Sequence, residues 1–475
     1  MEVVALAGSL IRRRWCWLVL PVVVLLFAVF VPVRAEGAAP LLSGPVELGY
    51  CGGDDWEPAV AADGAGHIYV LITHYQGDAA CDPAGGLNNS RIMIQVSSDG
   101  GQTFTAPRVV SAAPGGIAYA SQADPAVAVD PASGAVYVSF LAYGLSGGHT
   151  DVYVAKSTDL GRHFAAVKAN SHDCKNCDHP KILASGNDVY LAYSQATNHF
   201  IAVSADGGAT FTETDVLRAD VVGFSEGGVL DAHGNAWFAW ADCQTSSCKG
   251  VPAADYRVSE TRAGTSATSF AVVATGDQGP GCPFSACGFS FFGPQDDIGI
   301  DAGGTLYLVW QQGQDPAMRG SPPVIDLSRC TANCTSAAGW SLVGRVDDKN
   351  ASGCAASACY ALFPTIAGGS AGQIHVTWFD DRNGQPIDHT NGWNVWYRTS
   401  TDGGAAWTAP GQRVSAFMPA ESQSAPTGFL FPYGDYMGLA LNPACGNKPI
   451  MVWGEGHNWV GGPTAPGHIN FISLC

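Results

Sequence analysis

The octet SSDGGQTF at residues 97–104 recurs three more times along the chain with small changes. The further copies are STDLGRHF at 157–164, SADGGATF at 204–211 and STDGGAAW at 400–407. All share the pattern Ser-x-Asp-x-Gly-x-x-aromatic, and each follows an apolar run such as IMIQV at 92–96. Asp accepts hydrogen bonds from backbone N–H groups of its own turn and Gly supplies a positive φ, so the octet predicts a tight turn that ends a strand. A repeated turn predicts a repeated fold.

The four octets resemble the Asp box, or BNR repeat, of sialidases and related β-propellers. They begin at residues 97, 157, 204 and 400, and the last interval is long enough for about three repeats. The resemblance implies a propeller. In that family the box is structural and lies on the face away from the active site, so it indicates the scaffold and leaves the activity to other residues.

A second unit, two apolar strands joined by a small-residue turn, recurs seven times. Its copies span residues 58–73, 125–143, 180–194, 227–241, 298–311, 364–379 and 437–453. Seven copies predict an all-β fold, a seven-bladed β-propeller of four-stranded antiparallel blades, with six blades as the alternative. The last copy has no fourth strand after it. The run at 45–50 can supply one, so we expect the N-terminal strand to close the ring and leave no exposed edge.

The N-terminal residues 1–35 differ from the rest of the chain. Three arginines at 12–14 precede an apolar run at 15–31, and VRA at 33–35 offers a small-residue cleavage site. This pattern is typical of a secretory signal peptide. The run is close to the shortest membrane span, so an uncleaved N-terminal anchor is the alternative. Either interpretation predicts an exported propeller at 44–475, secreted or extracytoplasmic, that meets a membrane only through the anchor.

The chain is acidic, with a formal net charge of −18. Residues 1–35 carry four arginines and one glutamate, so the remainder carries −21. A nucleic-acid-binding surface needs a basic stripe, and we therefore expect no nucleic-acid partner.

Fourteen cysteines follow Cys16, and ten of them are close neighbours: Cys174/Cys177, Cys243/Cys248, Cys282/Cys287, Cys330/Cys334 and Cys354/Cys359. An even number in short loops indicates disulfides formed in an oxidising compartment. Closure of the ring by its two chain ends predicts two more pairs, Cys445–Cys475 and Cys51–Cys81. For Cys174 and Cys177, which lie between His172 and His179, a zinc site is the alternative to a disulfide.

Alignment of the seven units on their shared Pro or its equivalent brings seven residues to one position, just before the innermost strand. They are Glu57, Asp124, His179, Glu226, Asp297, Phe363 and Tyr436. In sialidase-like propellers the functional pocket lies there, on the top face around the central axis. Neighbouring acids add to this ring: Asp54, Asp55, Asp178, Asp296 and Asp435. Acids that converge on one axis repel each other unless a cation, a proton or a polar ligand lies among them.

Three interpretations of the ring stay open. Its side chains can cap strand ends and bond neighbouring blades, or they can bind a cation such as Ca²⁺, which takes six to eight oxygens. The third is glycosidase chemistry, which needs two carboxylates across a sugar or a tyrosine nucleophile. Glu226 would activate Tyr436 or Tyr433 for attack, and Asp124 or Glu57 would act as acid. A lyase with His179 and Tyr436 as base and acid is a variant of it. No cofactor is certain, and the metal ligands are unknown.

Arginine usage argues against a true sialidase. Sialidases hold the substrate carboxylate with three arginines, one from a Phe/Tyr-Arg-Ile-Pro motif, and here the corresponding residues 55–58 read DWEP. The segments WFDDRN at 378–383 and GDYMG at 434–438 resemble secreted bacterial BNR-repeat proteins. Within them Arg382 is a candidate substrate clamp; the alternative is an ion pair with Asp380 or Asp381 that holds the loop.

The sequence thus predicts an exported sialidase-like propeller that binds or hydrolyses extracellular carbohydrate at its top-face pocket. Its candidate catalytic residues are Glu226, Tyr436, Asp124 and Glu57, and its candidate substrate-binding residues are Arg382, His179 and Asp297. If the protein is an enzyme, we expect a glycoside hydrolase. The alternative is a non-catalytic binding scaffold outside the cell, stabilised by a cation.

Overall fold

The computed structural model describes twelve stretches of the chain. They are residues 44–50, 54–75, 90–144, 149–218, 222–244, 253–277, 295–313, 321–352, 359–382, 394–415, 436–456 and 467–475. The predicted signal or anchor at 1–35 lies outside them, as do many of the loops between strands. No helix in these stretches is long and apolar enough to cross a bilayer.

The described residues form seven four-stranded antiparallel sheets, so the predicted seven-bladed β-propeller is confirmed and the six-bladed alternative is wrong. The first three complete blades are β2 to β5 (Asp54–Ala62, Ile68–Tyr75, Arg91–Ser97, Arg108–Val109), β6 to β9 (Ser121–Val129, Val136–Tyr143, Thr150–Ser157, Ala165–Lys168) and β10 to β13 (Cys177–Ser185, Asp188–Gln195, Asn198–Ser204, Thr212–Arg218).

The next three blades follow in chain order. They are β14 to β17 (Gly223–Leu230, Ala236–Cys243, Ala253–Thr261, Thr268–Asp277), β18 to β21 (Asp296–Ile300, Leu306–Gly313, Pro323–Cys330, Trp340–Arg345) and β22 to β25 (Ala361–Gly368, Ile374–Asp380, Asn394–Ser400, Gln412–Arg413). Short 3₁₀ turns lie at Pro114–Gly116, Ala337–Gly339, Lys349–Ser352 and Pro443–Cys445.

The last blade joins the two ends of the chain. Its strands β26 (Met437–Asn442), β27 (Lys448–Gly456) and β28 (Gly467–Ser473) are completed by β1 (Val46–Leu48). The outer strand pairs Val46 with Phe471 and Leu48 with Ile469, antiparallel. The predicted closure of the ring by an N-terminal strand is therefore confirmed.

The hydrophobic core consists of apolar layers between neighbouring blades. The second strand of each blade is buried on both faces; in β3, Ile68, Val70 and Ile72 pack towards the last blade, and Tyr69 and Leu71 pack towards the following one. This explains why the second strands read as continuous apolar runs.

The four octets form turns with one hydrogen-bond pattern. In the first, the Asp99 carboxylate accepts from the backbone N–H groups of Gln102 and Thr103 at 3.0 and 2.9 Å, and Ser97 Oγ accepts from the Gly101 N–H at 2.8 Å. Corresponding bonds are made by Asp159, Asp206 and Asp402. Each turn thus satisfies its own backbone groups.

Three predicted disulfides are present: Cys174–Cys177, Cys330–Cys334 and Cys445–Cys475. Cys243 and Cys359 are also disulfide-bonded, whereas Cys248 and Cys354, like the predicted pairs Cys51–Cys81 and Cys282–Cys287, lie outside the described residues. The bond between Cys174 and Cys177 occupies both sulfur atoms of the zinc alternative.

Candidate functional site

The aligned ring position coincides with a distortion of the inner strand. Glu57, Asp124, His179 and Phe363 have φ between 51° and 56°, and a proline follows each of them. The strand register shifts at all four places, which is a β-bulge that redirects side chains. A positive φ costs free energy in a residue other than glycine, and such strain is concentrated at active sites and ligand clamps.

The seven inner strands surround a central cavity of about 190 Å³. Glu226, Asp297 and Tyr436 line it as candidate residues predicted from the sequence, together with Asp296 and Lys181. Pro58 and Pro125, which follow Glu57 and Asp124, also line it. The volume equals that of about six water molecules, so the described part of the cavity has room for one small group of a ligand.

Some ring residues bond adjacent blades. Glu57 accepts from Thr73 Oγ1 and Tyr75 OH at 2.6 Å and from the Asp124 N–H of the next blade at 2.9 Å. Asp297 likewise reaches the next blade, where it accepts from Thr365 Oγ1 at 2.7 Å and from the Ile366 N–H at 2.9 Å. These carboxylates fit the structural interpretation of the ring.

Asp124 and Asp178 form a close pair of acids. Burial and the charge of Asp178 raise the pKa of Asp124 to about 7, and a hydrogen bond between the two carboxyl groups acts in the same direction. Burial and the charge of Asp124 raise the pKa of Glu57 to about 7 as well. At neutral pH Glu57 and Asp124 are therefore partly protonated, and a general acid must hold a proton in this way.

His179 connects Glu226 to Tyr436. Its Nδ1 lies 3.3 Å from Glu226 Oε2, and its ring meets the Tyr436 ring edge-on with centroids 5.1 Å apart. Burial lowers the pKa of His179, but the charges of Glu226, Asp178 and Asp124 outweigh it and raise the pKa to about 10. The imidazole is therefore protonated at neutral pH.

Lys181 is a functional candidate that sequence reasoning missed. Its Nζ lies 4.4 Å from the centroid of the Tyr436 ring, in the geometry of a cation–π contact. A signal was present in the repeat, because the corresponding position holds only small residues in the other six units: Ala59, Ala126, Gly228, Gly299, Thr365 and Gly438. A single lysine among small residues at the mouth of an acidic ring indicates a specific role.

Two acids that line the cavity have carboxylate oxygens that receive no hydrogen bond from the described residues. In the described part of the chain, neither oxygen of Asp296 and only Oε2 of Glu226 has a hydrogen-bond partner, although all these atoms are buried. Burial and the charges of Glu226 and Asp297 raise the pKa of Asp296 well above its ordinary value. In the described chain the Asp296 carboxylate makes no bond between blades, whereas Glu226 contacts the preceding blade through His179.

Arg382 is committed to ion pairs. Its guanidinium contacts Asp380 at 2.6 Å and Asp348 at 2.7 Å, and its side chain is 1% exposed and stacks 3.9 Å from the Trp396 ring centroid. This arrangement matches the ion-pair alternative, in which Arg382 holds its loop. Burial lowers the pKa of Arg382, but the two aspartates outweigh it and raise the pKa.

One group of potential metal ligands occurs among the described residues. It comprises His172, Cys174 and Cys177, within 4.8 Å of one another. Because both cysteines are in a disulfide, the group offers one imidazole and no thiolate, which is too little for a zinc site. His172 is itself engaged, with Gln195 at 2.8 Å and with Glu213.

No protein-family model matches this chain, and no curated protein matches it. Solved structures similar to it include a protein of unknown function from Dyadobacter fermentans, 14% identical over 71% of this chain and 94% of that one, with a TM-score of 0.44. A mutant of the NanB sialidase from Streptococcus pneumoniae is 11% identical over 71% of this chain and 68% of its own, with a TM-score of 0.45.

A leech intramolecular trans-sialidase is 11% identical over 90% of this chain and 70% of its own, also with a TM-score of 0.45. Likeness at this level carries no argument about activity.

Proposed function

We propose that this protein is an exported propeller that binds extracellular glycan at its central cavity and cleaves it as a glycoside hydrolase. The observation that carries the proposal is the row Lys181–Tyr436–His179–Glu226 at the cavity. Positive charge beside a phenol favours its ionised form. A tyrosine nucleophile requires that help because it is weak at its ordinary pKa of about 10.

Each residue of the row has a role in the proposed reaction. The Tyr436 phenolate attacks the anomeric carbon while the glycosidic bond breaks, and Asp124 donates a proton to the leaving oxygen. Glu226 fixes the His179 imidazolium, which with Lys181 stabilises the phenolate. Water then hydrolyses the tyrosyl sugar as Asp124 takes up a proton. Glu57, bonded to the Asp124 backbone at 2.9 Å, positions this acid and does not touch the substrate.

Export is part of the proposal. It is supported by the signal-like residues 1–35 and by the disulfides at Cys174–Cys177, Cys330–Cys334 and Cys445–Cys475, since disulfides persist in oxidising compartments.

A non-catalytic scaffold is the second candidate function. It is favoured by the bonds with which Glu57 and Asp297 join neighbouring blades. In this interpretation the bulged inner strands exist to bring seven blades together, and the cavity binds glycan without cleaving it.

The test is a turnover assay of the purified protein on a panel of fluorogenic glycosides and polysaccharides, with and without EDTA. We expect Tyr436→Phe and Glu226→Gln to lower kcat by at least about 100-fold, the usual contribution of such groups. Tyr307→Phe and Glu213→Gln are matched controls outside the cavity and should keep wild-type activity. Glycan binding without turnover would favour the scaffold, and loss of activity with EDTA would restore the cation interpretation.

A further inference from the structure

Asp296 and Asp297 are adjacent in sequence but differ in their surroundings. Asp297 accepts hydrogen bonds from the Ile298 N–H, the Ile366 N–H and Thr365 Oγ1, at 2.7 to 2.9 Å. Asp296 is 3% exposed, and within the described residues neither of its carboxylate oxygens receives a hydrogen bond. Both residues line the same cavity.

The adjoining blade adds a further acceptor to the cavity. Glu226 uses Oε2 for His179, and its buried Oε1 has no partner among the described residues. Buried carboxylate oxygens without donors are costly, and they are rare in folded proteins. Three such atoms from Asp296 and Glu226 therefore call for hydrogen-bond donors that a ligand brings.

The described cations near the cavity leave three oxygens of these two acids without a hydrogen bond. Lys181 lies over the Tyr436 ring, and His179 is bonded to the other oxygen of Glu226. Across the described residues, no lysine or arginine lies within ion-pair distance of Asp296 or Glu226. The cavity thus presents two cations around the tyrosine and open acceptors at the two acids.

We infer that Asp296 and Glu226 receive a protonated amino group, so that the glycan is an amino sugar with an unacetylated amine. The inference rests on the proposed glycan-binding function and names its substrate class. A charged N–H donor pairs with a carboxylate about twice as strongly as a neutral hydroxyl does. A carboxylated sugar brings no such donor and adds a negative charge beside these acids.

A metal ion fits the acids less well than an ammonium group. An ammonium has three donors and needs few acceptors, whereas Ca²⁺ needs six to eight oxygens. Among the described residues, no three ring acids bring their ligand atoms within 4.8 Å of one another.

The test compares three trisaccharides by calorimetry in mildly acidic buffer, built from glucosamine, N-acetylglucosamine or galacturonic acid. We expect the glucosamine form to bind at least about tenfold more tightly than the N-acetylated form. Asp296→Asn should reduce this preference to within about threefold. Glu226→Gln should weaken the preference too, and Asp402→Asn, in an outer turn, should retain it.

A second readout follows the proton held by Asp296, which is faced by Glu226, Asp297, Asp242 and Lys181. Binding of an ammonium ion should expel this proton, and heats measured in two buffers of different ionisation enthalpy report it. Asp296→Asn should abolish the release.

The outcomes separate this inference from the proposed function. Equal affinity for the glucosamine and N-acetylglucosamine forms, or tighter binding of the galacturonate form, would overturn the amino-sugar inference and leave glycan binding intact. If no glycan of either panel binds or is cleaved, both fail. A preference that persists in Asp296→Asn would place the amine elsewhere and also overturn the inference.

Discussion

Aspartates occupy two contrasting regions of this propeller. In the outer turns, hydrogen bonds from Thr103 and Ser97 lower the pKa of Asp99 to about 2. In the central ring, burial and the charge of Asp178 raise the pKa of Asp124 to about 7. The difference shows how one residue type serves two purposes. Surrounded by N–H and O–H donors it is a fixed anion that shapes a turn, and surrounded by other buried acids it becomes a proton carrier that costs stability.

The largest expected effect concerns the turns. Gly101 has φ of +95°, and a Cβ there would lie 2.5 Å from the Phe471 ring of the last blade. Gly101→Ala should therefore lower the free energy of unfolding by roughly 3 kcal/mol, from backbone strain and overpacking together.

The matched control is Gly100→Ala. Its φ is +75°, but a Cβ would meet nothing within 4 Å, so about 1 kcal/mol of backbone strain should remain. Urea denaturation of both variants measures the difference. Equal losses of unfolding free energy would show that the turn contributes through its own backbone conformation and not through its packing on the last blade.

The second prediction compares two neighbouring acids of the ring, Asp297 and Asp296. Asp297→Asn replaces an oxygen that accepts hydrogen bonds with an NH₂ group, so it should cost about 1–3 kcal/mol of unfolding free energy. Asp296→Asn replaces a buried acid whose raised pKa favours its neutral form and which receives no hydrogen bond in the described chain, and it should be neutral or stabilising. Thermal denaturation of the two single variants at neutral pH compares their free energies of unfolding. A larger loss in Asp296→Asn would mean that this acid, too, has a structural role.

The fold could be predicted from local chemistry. The Asp and Gly of each octet determine a turn without help from distant residues, and the alternating apolar runs predict a strand before it. The repetition of these units along the chain was therefore enough to predict the blades. The spare run at 45–50 and the missing last strand then predicted closure, seen in the pairing of Val46 with Phe471.

The candidate site was predicted only in part. Alignment of the repeats found the position of the ring, including four residues with positive φ. It could not show which acids are hydrogen-bonded within the protein, because that depends on partners from other strands. Thr73 and Tyr75 are such partners for Glu57. The choice between the two interpretations of Arg382 likewise needed the position of Asp348, which is distant in sequence.

The smallest effect per variant is a change in how stability depends on pH. Burial and Asp124 raise the pKa of Glu57 from 4.5 to about 7, and burial and Asp178 raise that of Asp124 from 3.8 to about 7. Between about pH 4 and 7 the folded ring therefore holds more protons than the unfolded chain. The free energy of unfolding should fall as pH rises through this window, by about 1.4 kcal/mol per pH unit for each extra proton.

Asp124→Asn and Asp99→Asn separate the two regions. Asp124→Asn removes one of the coupled acids and should make the decline between pH 5 and 7 shallower by up to about 1.4 kcal/mol per unit. The contribution of Asp99 is present above pH 3.8 and is lost only as pH falls through about 2, so Asp99→Asn should give a line parallel to the wild type. The contribution of His179, whose pKa is raised from 6.5 to about 10, is complete below about pH 6.5 and is lost as pH rises from there to about 10. Parallel lines for both variants would mean that the ring acids are ionised in the folded protein, and Asp124 could not then supply the proton that the proposed reaction needs.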